Sequence, residues 1–159
     1  MIALGLVEGL TQRGWSLALA ESCTGGLIAS AVTEVPGSSA VFGLGVVSYS
    51  NEIKQQILEV PEAILRDHGA VSEACVMAML EGVGKLSEAT LCAAVTGIAG
   101  PGGATPAKPV GTVWTALSHG SARWVSVHQF NGNRSAVREQ TVDTVVGGLL
   151  KVMRGVSPW

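Results

Sequence analysis

The sequence predicts an α/β protein, a three-layer α/β/α sandwich about a mixed, mostly parallel sheet. Three observations predict it. Helical apolar spacing alternates with short β-rich runs along the chain. The runs themselves are almost continuously apolar, as strands covered on both faces are. The last two runs flank a tight turn and read as an antiparallel hairpin.

The elements follow in order. Ile2 to Gln12 has helical spacing, and Ser16 to Ala20 is a short apolar strand. Thr24 to Glu34 reads as a helix stopped by Pro36-Gly37, and Phe42 to Tyr49 is β-rich. Asn51 is placed as the N-cap of a helix through Leu58. Pro61 opens a short helix that Gly69 ends. Ser72 caps a helix whose apolar face is Val76, Met79, Leu80, Val83 and Leu86. Thr90 to Thr96 is a buried strand, and Val110 to Leu117 and Arg123 to Phe130 make the hairpin. Asn133 opens a last helix with Val137, Thr141, Val145, Leu149 and Val152 on one face.

At 159 residues the chain is expected to form one domain, residues 1–159. A composition that is 47% hydrophobic with a net charge of −2 excludes disorder. A pI near 5.9 argues against a nucleic-acid partner. Only 14% of residues are charged, which leaves apolar surface for a homo-oligomer to cover. The three cysteines, Cys23, Cys75 and Cys92, are odd in number and form no CxxC, so reduced thiols in a cytoplasmic protein are expected. The N-terminal segment has no positive region before its apolar residues and does not read as a signal peptide. The uncharged run from Ala89 to Ala107 is broken by glycines and prolines, so no membrane span is expected. His68, His119 and His128 lack metal-ligand spacing, so neither a metal nor a cofactor is expected. Charge is uneven: residues 101–159 carry six Lys and Arg against two acids. These cations are either a solvated face or the holders of an anionic ligand such as a phosphate.

Three segments that follow strands carry the chemistry. If the first three strands are parallel, all three loops emerge at the sheet's carboxyl edge, where open α/β sheets bind ligands. In Glu21-Ser22-Cys23-Thr24-Gly25-Gly26, Ser22 is predicted at or just before a helix N-terminus, where backbone N–H groups favour negative charge. Gly25 and Gly26 allow close approach, although Ser22 or Thr24 equally reads as a simple cap. Tyr49-Ser50-Asn51-Glu52-Ile53-Lys54 supplies a tyrosine and a lysine. A Lys54 buried in a cleft would have a lowered pKa and act as a base; otherwise it is solvated surface. Tyr49, the sole tyrosine, reads equally as core. The glycine-rich Gly97 to Gly103 is neither a Walker loop nor GxGxxG, but its N–H groups suit a phosphate or an oxyanion. Cys23 as a thiol nucleophile is the rival within hydrolases.

The segments ALAESCTGGLIAS, VPGSSAVFGLGVVSYSNEIKQQIL, HGAVSE, VTGIAGPGG, KPVGTVW and FNGNRSAVREQ resemble the C-terminal domain family of the competence/damage-inducible protein CinA. The resemblance runs in order from about Ile2 to Val152. That family includes stand-alone nicotinamide-nucleotide amidohydrolases. The larger CinA proteins carry an extra N-terminal domain, for which residues 1–159 have no room. The resemblance implies a metal-free hydrolysis of nicotinamide mononucleotide to nicotinic acid mononucleotide and ammonia. By motif it implies Ser22 as nucleophile, Lys54 as general base and Tyr49 as an assisting hydroxyl. Candidate substrate-binding residues are Thr24, Gly25, Gly26, Gly97, Gly100, Gly102, Lys108, Arg134 and Arg138. A pyridine-nucleotide-binding module without turnover is the alternative, and an acid such as Glu21 is a candidate neighbour for the cationic ring.

Overall fold

The computed structural model describes residues 2–159. The chain runs α1 (Ile2–Arg13), β1 (Leu17–Glu21), α2 (Leu27–Thr33), a 3-10 turn (Ser38–Ala40), β2 (Phe42–Val47), α3 (Asn51–Leu58) and α4 (Glu62–His68). It continues through α5 (Glu73–Ser87), β3 (Leu91–Gly97), β4 (Thr112–His119), β5 (Ala122–Gln129) and α6 (Arg134–Met153). The five strands form one sheet in the order β2-β1-β3-β4-β5. The β1–β2 and β1–β3 pairs are parallel, whereas β3–β4 and β4–β5 are antiparallel. The fold is the α/β class expected, and the loops after β1, β2 and β3 do share one edge.

Alternation along each strand sorts the layers. Leu17, Leu19, Leu91, Ala93, Val95 and Leu117 face α1, α2 and α6. Ala18, Ala20, Cys92, Ala94 and Ala116 face the α5 side, where Val76, Met79, Leu80 and Val83 meet them. The small side chains on that face let α5 lie close to the sheet. Among the described residues, no helix is long and apolar enough to cross a membrane.

Several helix starts differ by a residue or more from expectation. Ser50, not Asn51, caps α3, accepting the Ile53 N–H at 3.1 Å. Pro61 stands just before α4 rather than inside it. Ser72 and Asn133 cap as expected, accepting from Cys75 and Ala136. Leu86 departs from the apolar face of α5: it lies beyond Val83, the last residue of the helix packed on the sheet, and is exposed.

The approach of α3 to α5 gives a test. A Cβ at Gly82 would overlap the Leu58 carbonyl, whereas one at Gly84 would meet only Cys92 Sγ at 3.9 Å. Gly82→Ala is expected to lose about 2 kcal/mol through this backbone clash, lowering Tm by roughly 4–8 °C. Gly84→Ala should instead gain up to about 1 kcal/mol of helix propensity. Thermal melts followed by circular dichroism distinguish the two.

Candidate active site

Parallel pairing of β1 and β2 places Ser22 beside Ser48, whose N–H donates to the Glu21 carbonyl at 2.8 Å. Helical side chains tilt toward the helix N-terminus. Lys54, one turn into α3, therefore reaches back over the residues that lead into its own helix. Its Nζ lies 2.7 Å from the Ser48 carbonyl, 3.1 Å from the Tyr49 carbonyl and 3.0 Å from Ser22 Oγ. The residue is 1% exposed, and no carboxylate pairs with it among the described residues. Burial lowers its pKa from the ordinary 10.5; the smaller influences of Cys75 and Cys23 oppose that.

These contacts fit an uncharged amine. A neutral amine has two N–H donors and one lone pair. The two carbonyls take the donors, and the lone pair is left to accept the Ser22 hydroxyl. The same geometry accommodates the ammonium after proton transfer, with all three N–H groups directed at oxygen. The nucleophile and base of a hydrolase stand in this relation.

The turn bearing Ser22 is held by a carboxylate. Glu21, 1% exposed, accepts from the N–H groups of Gly26, Ile28 and Ala29 at 3.1, 3.1 and 2.8 Å. This corrects two expectations. The helix opens at Leu27 rather than Thr24, and neither Ser22 nor Thr24 caps it. Glu21 is thereby committed to the backbone and does not line the cavity. From the other side, Arg138 donates to the Thr24 carbonyl at 2.8 Å. The Thr24 amide donates to no backbone acceptor among the described residues, whereas the Cys23 amide faces its own thiol. Cys23 is buried, and that burial pushes its thiol up to about 11, away from the thiolate a cysteine nucleophile needs.

A cavity of about 310 Å³ opens over this pair, within the range of small-ligand sites. Of the candidate residues, Ser22, Tyr49, Lys54, Gly97, Gly100, Gly102 and Arg134 line it. Tyr49 is not core: its side chain is 57% exposed, and its hydroxyl accepts from Arg134 at 2.9 Å. Its carbonyl, rather than its hydroxyl, meets Lys54. Arg134 also donates to the Gly100 carbonyl at 2.8 Å, tying two loops of this rim together.

Other candidates lie outside the cavity. Thr24 is wholly buried behind the Ser22 turn, Gly25 and Gly26 form the turn itself, and Arg138 supports it from α6. The Lys108 amine is engaged by the His68 carbonyl at 2.8 Å. Sequence reasoning missed Asn51 and Thr96 in the lining. Thr96 donates to the Ala70 carbonyl at 2.9 Å and so draws the segment before α5 over the cavity. Its signal was a polar residue near the carboxyl end of an otherwise apolar strand. A larger cavity of about 610 Å³ lies at the opposite edge of the sheet, but it contains neither Ser22 nor Lys54. Among the described residues, no three His, Cys, Asp or Glu side chains gather as a metal centre would require.

Residues 2–153 match the CinA C-terminal domain. The chain is 49% identical over 151 residues to the nicotinamide-nucleotide amidohydrolase PncC of Pseudomonas putida, covering 95% of this chain and 94% of that one. It is 47% identical to a CinA-like protein of Thermotoga neapolitana, covering 94% of this chain and 36% of that protein; the chain thus spans about a third of that relative. A CinA superfamily crystal structure from Klebsiella pneumoniae superposes with a TM-score of 0.93 at 36% identity, covering 97% of this chain and 96% of that one. The competence/damage-inducible protein CihA from Agrobacterium tumefaciens gives 0.92 at 38% identity, covering 96% and 93%. With its Ser22–Lys54 cleft on that shared fold, the chain belongs to the CinA C-terminal domain family.

Proposed function

We propose that this chain is a nicotinamide-nucleotide amidohydrolase. It cleaves the carboxamide of nicotinamide mononucleotide to give nicotinic acid mononucleotide and ammonia. The observation that carries the reading is the 3.0 Å contact between Ser22 Oγ and a buried amine free of any carboxylate. The Pseudomonas putida relative, similar over its whole length, supports the choice of substrate.

In the first half-reaction Lys54 Nζ takes the Ser22 proton as Oγ bonds to the carboxamide carbon. The carbonyl oxygen becomes an oxyanion, for which backbone N–H groups of the Ser22 turn and of the Gly97–Gly103 loop are the candidate donors. Collapse breaks the C–N bond, Lys54 returns the proton to the leaving nitrogen, and ammonia departs. A nicotinoyl ester remains on Ser22. In the second half-reaction water attacks the ester while giving a proton to Lys54. The Ser22–carbonyl bond then breaks, and Lys54 reprotonates Oγ. Arg134, at the cavity rim with Tyr49 and Gly100, is assigned to the substrate phosphate. Tyr49 positions Arg134 through its hydroxyl and Lys54 through its carbonyl.

Two outcomes test this reading. Ser22→Ala should lower the rate of ammonia release from nicotinamide mononucleotide by on the order of 10⁴-fold. Cys23→Ala should stay within about tenfold of wild type, because a thiol raised to about 11 supplies almost no thiolate. Equal loss in both, or activity in neither Ser22→Ala nor wild type, removes the assignment.

The pH profile supplies the second. A base must be unprotonated, so kcat/KM should rise with pH through the Lys54 pKa. Because burial lowers that pKa, the rise should be centred below 10.5. Lys54→Ala should abolish the rising limb together with most of the activity. A flat profile from pH 6 to 9, with the variant still active, would rule Lys54 out as the base.

A further inference from the structure

The cavity over Ser22 is poor in negative charge for a substrate whose ring is a cation. Among the described residues that line it, none is Asp or Glu. Glu21, expected from the sequence beside that ring, is buried with its oxygens on the Gly26, Ile28 and Ala29 amides. The other charged and titratable groups around the Lys54 amine are few. The Ser22 turn brings Cys23, α5 brings Cys75, and α6 brings Arg134 and Arg138; Lys108 stands beyond Cys75. The Tyr49 hydroxyl is held by Arg134, and Glu52, on α3 itself, is exposed and bonded to Gln56. Burial keeps both thiols protonated. The charge a ligand brings into this cleft is therefore felt by Lys54 with little to offset it.

The reacting atoms fix where that charge falls. When Ser22 Oγ meets the carboxamide carbon, Nζ is one hydrogen bond further on, at 3.0 Å. The carboxamide is joined directly to the pyridinium ring, so the ring charge comes within about 8 Å of a nearly enclosed amine. A positive charge there disfavours the ammonium. Hydrolysis exchanges the amide nitrogen for oxygen. The product then carries a carboxylate closer to Nζ than the ring nitrogen is, and a carboxylate favours the ammonium. We propose that the site is matched to carboxamides borne on a cationic ring: the ring's charge expels a proton from Lys54 to solvent on binding, and the carboxylate formed by hydrolysis draws one back. The substrate thus completes its own base, and the product is held most firmly at low pH. A neutral dihydropyridine with the same carboxamide and phosphate leaves Lys54 as it finds it. This inference rests on the amidohydrolase reading and adds to it a role for the ring charge.

Ammonia release by wild type gives the first test, because kcat/KM reports the free enzyme and kcat the substrate complex. The half-point of kcat is expected about one pH unit below that of kcat/KM. Calorimetry of Ser22→Ala, in buffers of different ionisation enthalpy, then counts protons at the pH of the kcat/KM half-point. Nicotinamide mononucleotide should release about 0.4 proton per site. Nicotinic acid mononucleotide should take up a fraction of a proton, and the reduced nucleotide with its uncharged ring should do neither. Adding Lys54→Met should remove both exchanges. Turnover with coincident half-points, equal release by the reduced and oxidised nucleotides, or no uptake with the product overturns the role of the ring charge and leaves the amidohydrolase reading standing. A folded wild type that releases no ammonia overturns both.

Discussion

The site depends on hiding one amine from water. An ionisable group so enclosed is costly unless its polar atoms find partners or it gives up its charge. Lys54 does both. Two carbonyls at the end of β2 take its donors, and the loss of solvent favours the neutral form. Every nearby element serves that enclosure. Ser50 fixes the first turn of α3, so Lys54 points backward along its helix. Parallel β1 and β2 set the Ser22 turn and the Ser48–Tyr49 carbonyls side by side. Antiparallel pairing there would have sent the two turns to opposite edges.

Ser22 is placed by an equally specific set of contacts. Glu21 ends β1 and spends its carboxylate on three amides at the start of α2. Charge-assisted bonds of this kind are stronger than neutral ones, so the chain between strand and helix has little freedom. Arg138 crosses from α6 to hold the Thr24 carbonyl on the far side. The serine is thus gripped from the helix it precedes and from the last helix of the chain.

Much of this was legible in the sequence because short-range physics controls it. Near-continuous apolar runs announced covered strands, and Ser72 and Asn133 announced two helix starts. Parallel order of the first three strands then brought three loops to one edge. What escaped was decided by partners distant in the chain. Nothing local tells Glu21 to cap α2 in place of Ser22 or Thr24, because a side chain seven residues before Ile28 is outside any ordinary capping pattern. Arg134 and Arg138 share a helix face and looked equivalent. One reaches the cavity rim and the other the back of the Ser22 turn, a division set by which loops they happen to face. Lys108 looked free in sequence because the His68 carbonyl that holds it lies 40 residues earlier. Tyr49 read equally as core or as a site hydroxyl, and Arg134, 85 residues away in the chain, supplies the reason for it to stand at the rim.

The buried thiol beside Ser22 has a consequence for how this cleft meets reactive small molecules. With its proton held until about pH 11, Cys23 is thiolate in only about one molecule in ten thousand at neutral pH. Peroxides, maleimides and other sulfur-seeking electrophiles therefore find an inert neighbour at this position. Labelling of the cleft by such reagents at Cys23 is thereby slow, whatever the reactivity of its other side chains.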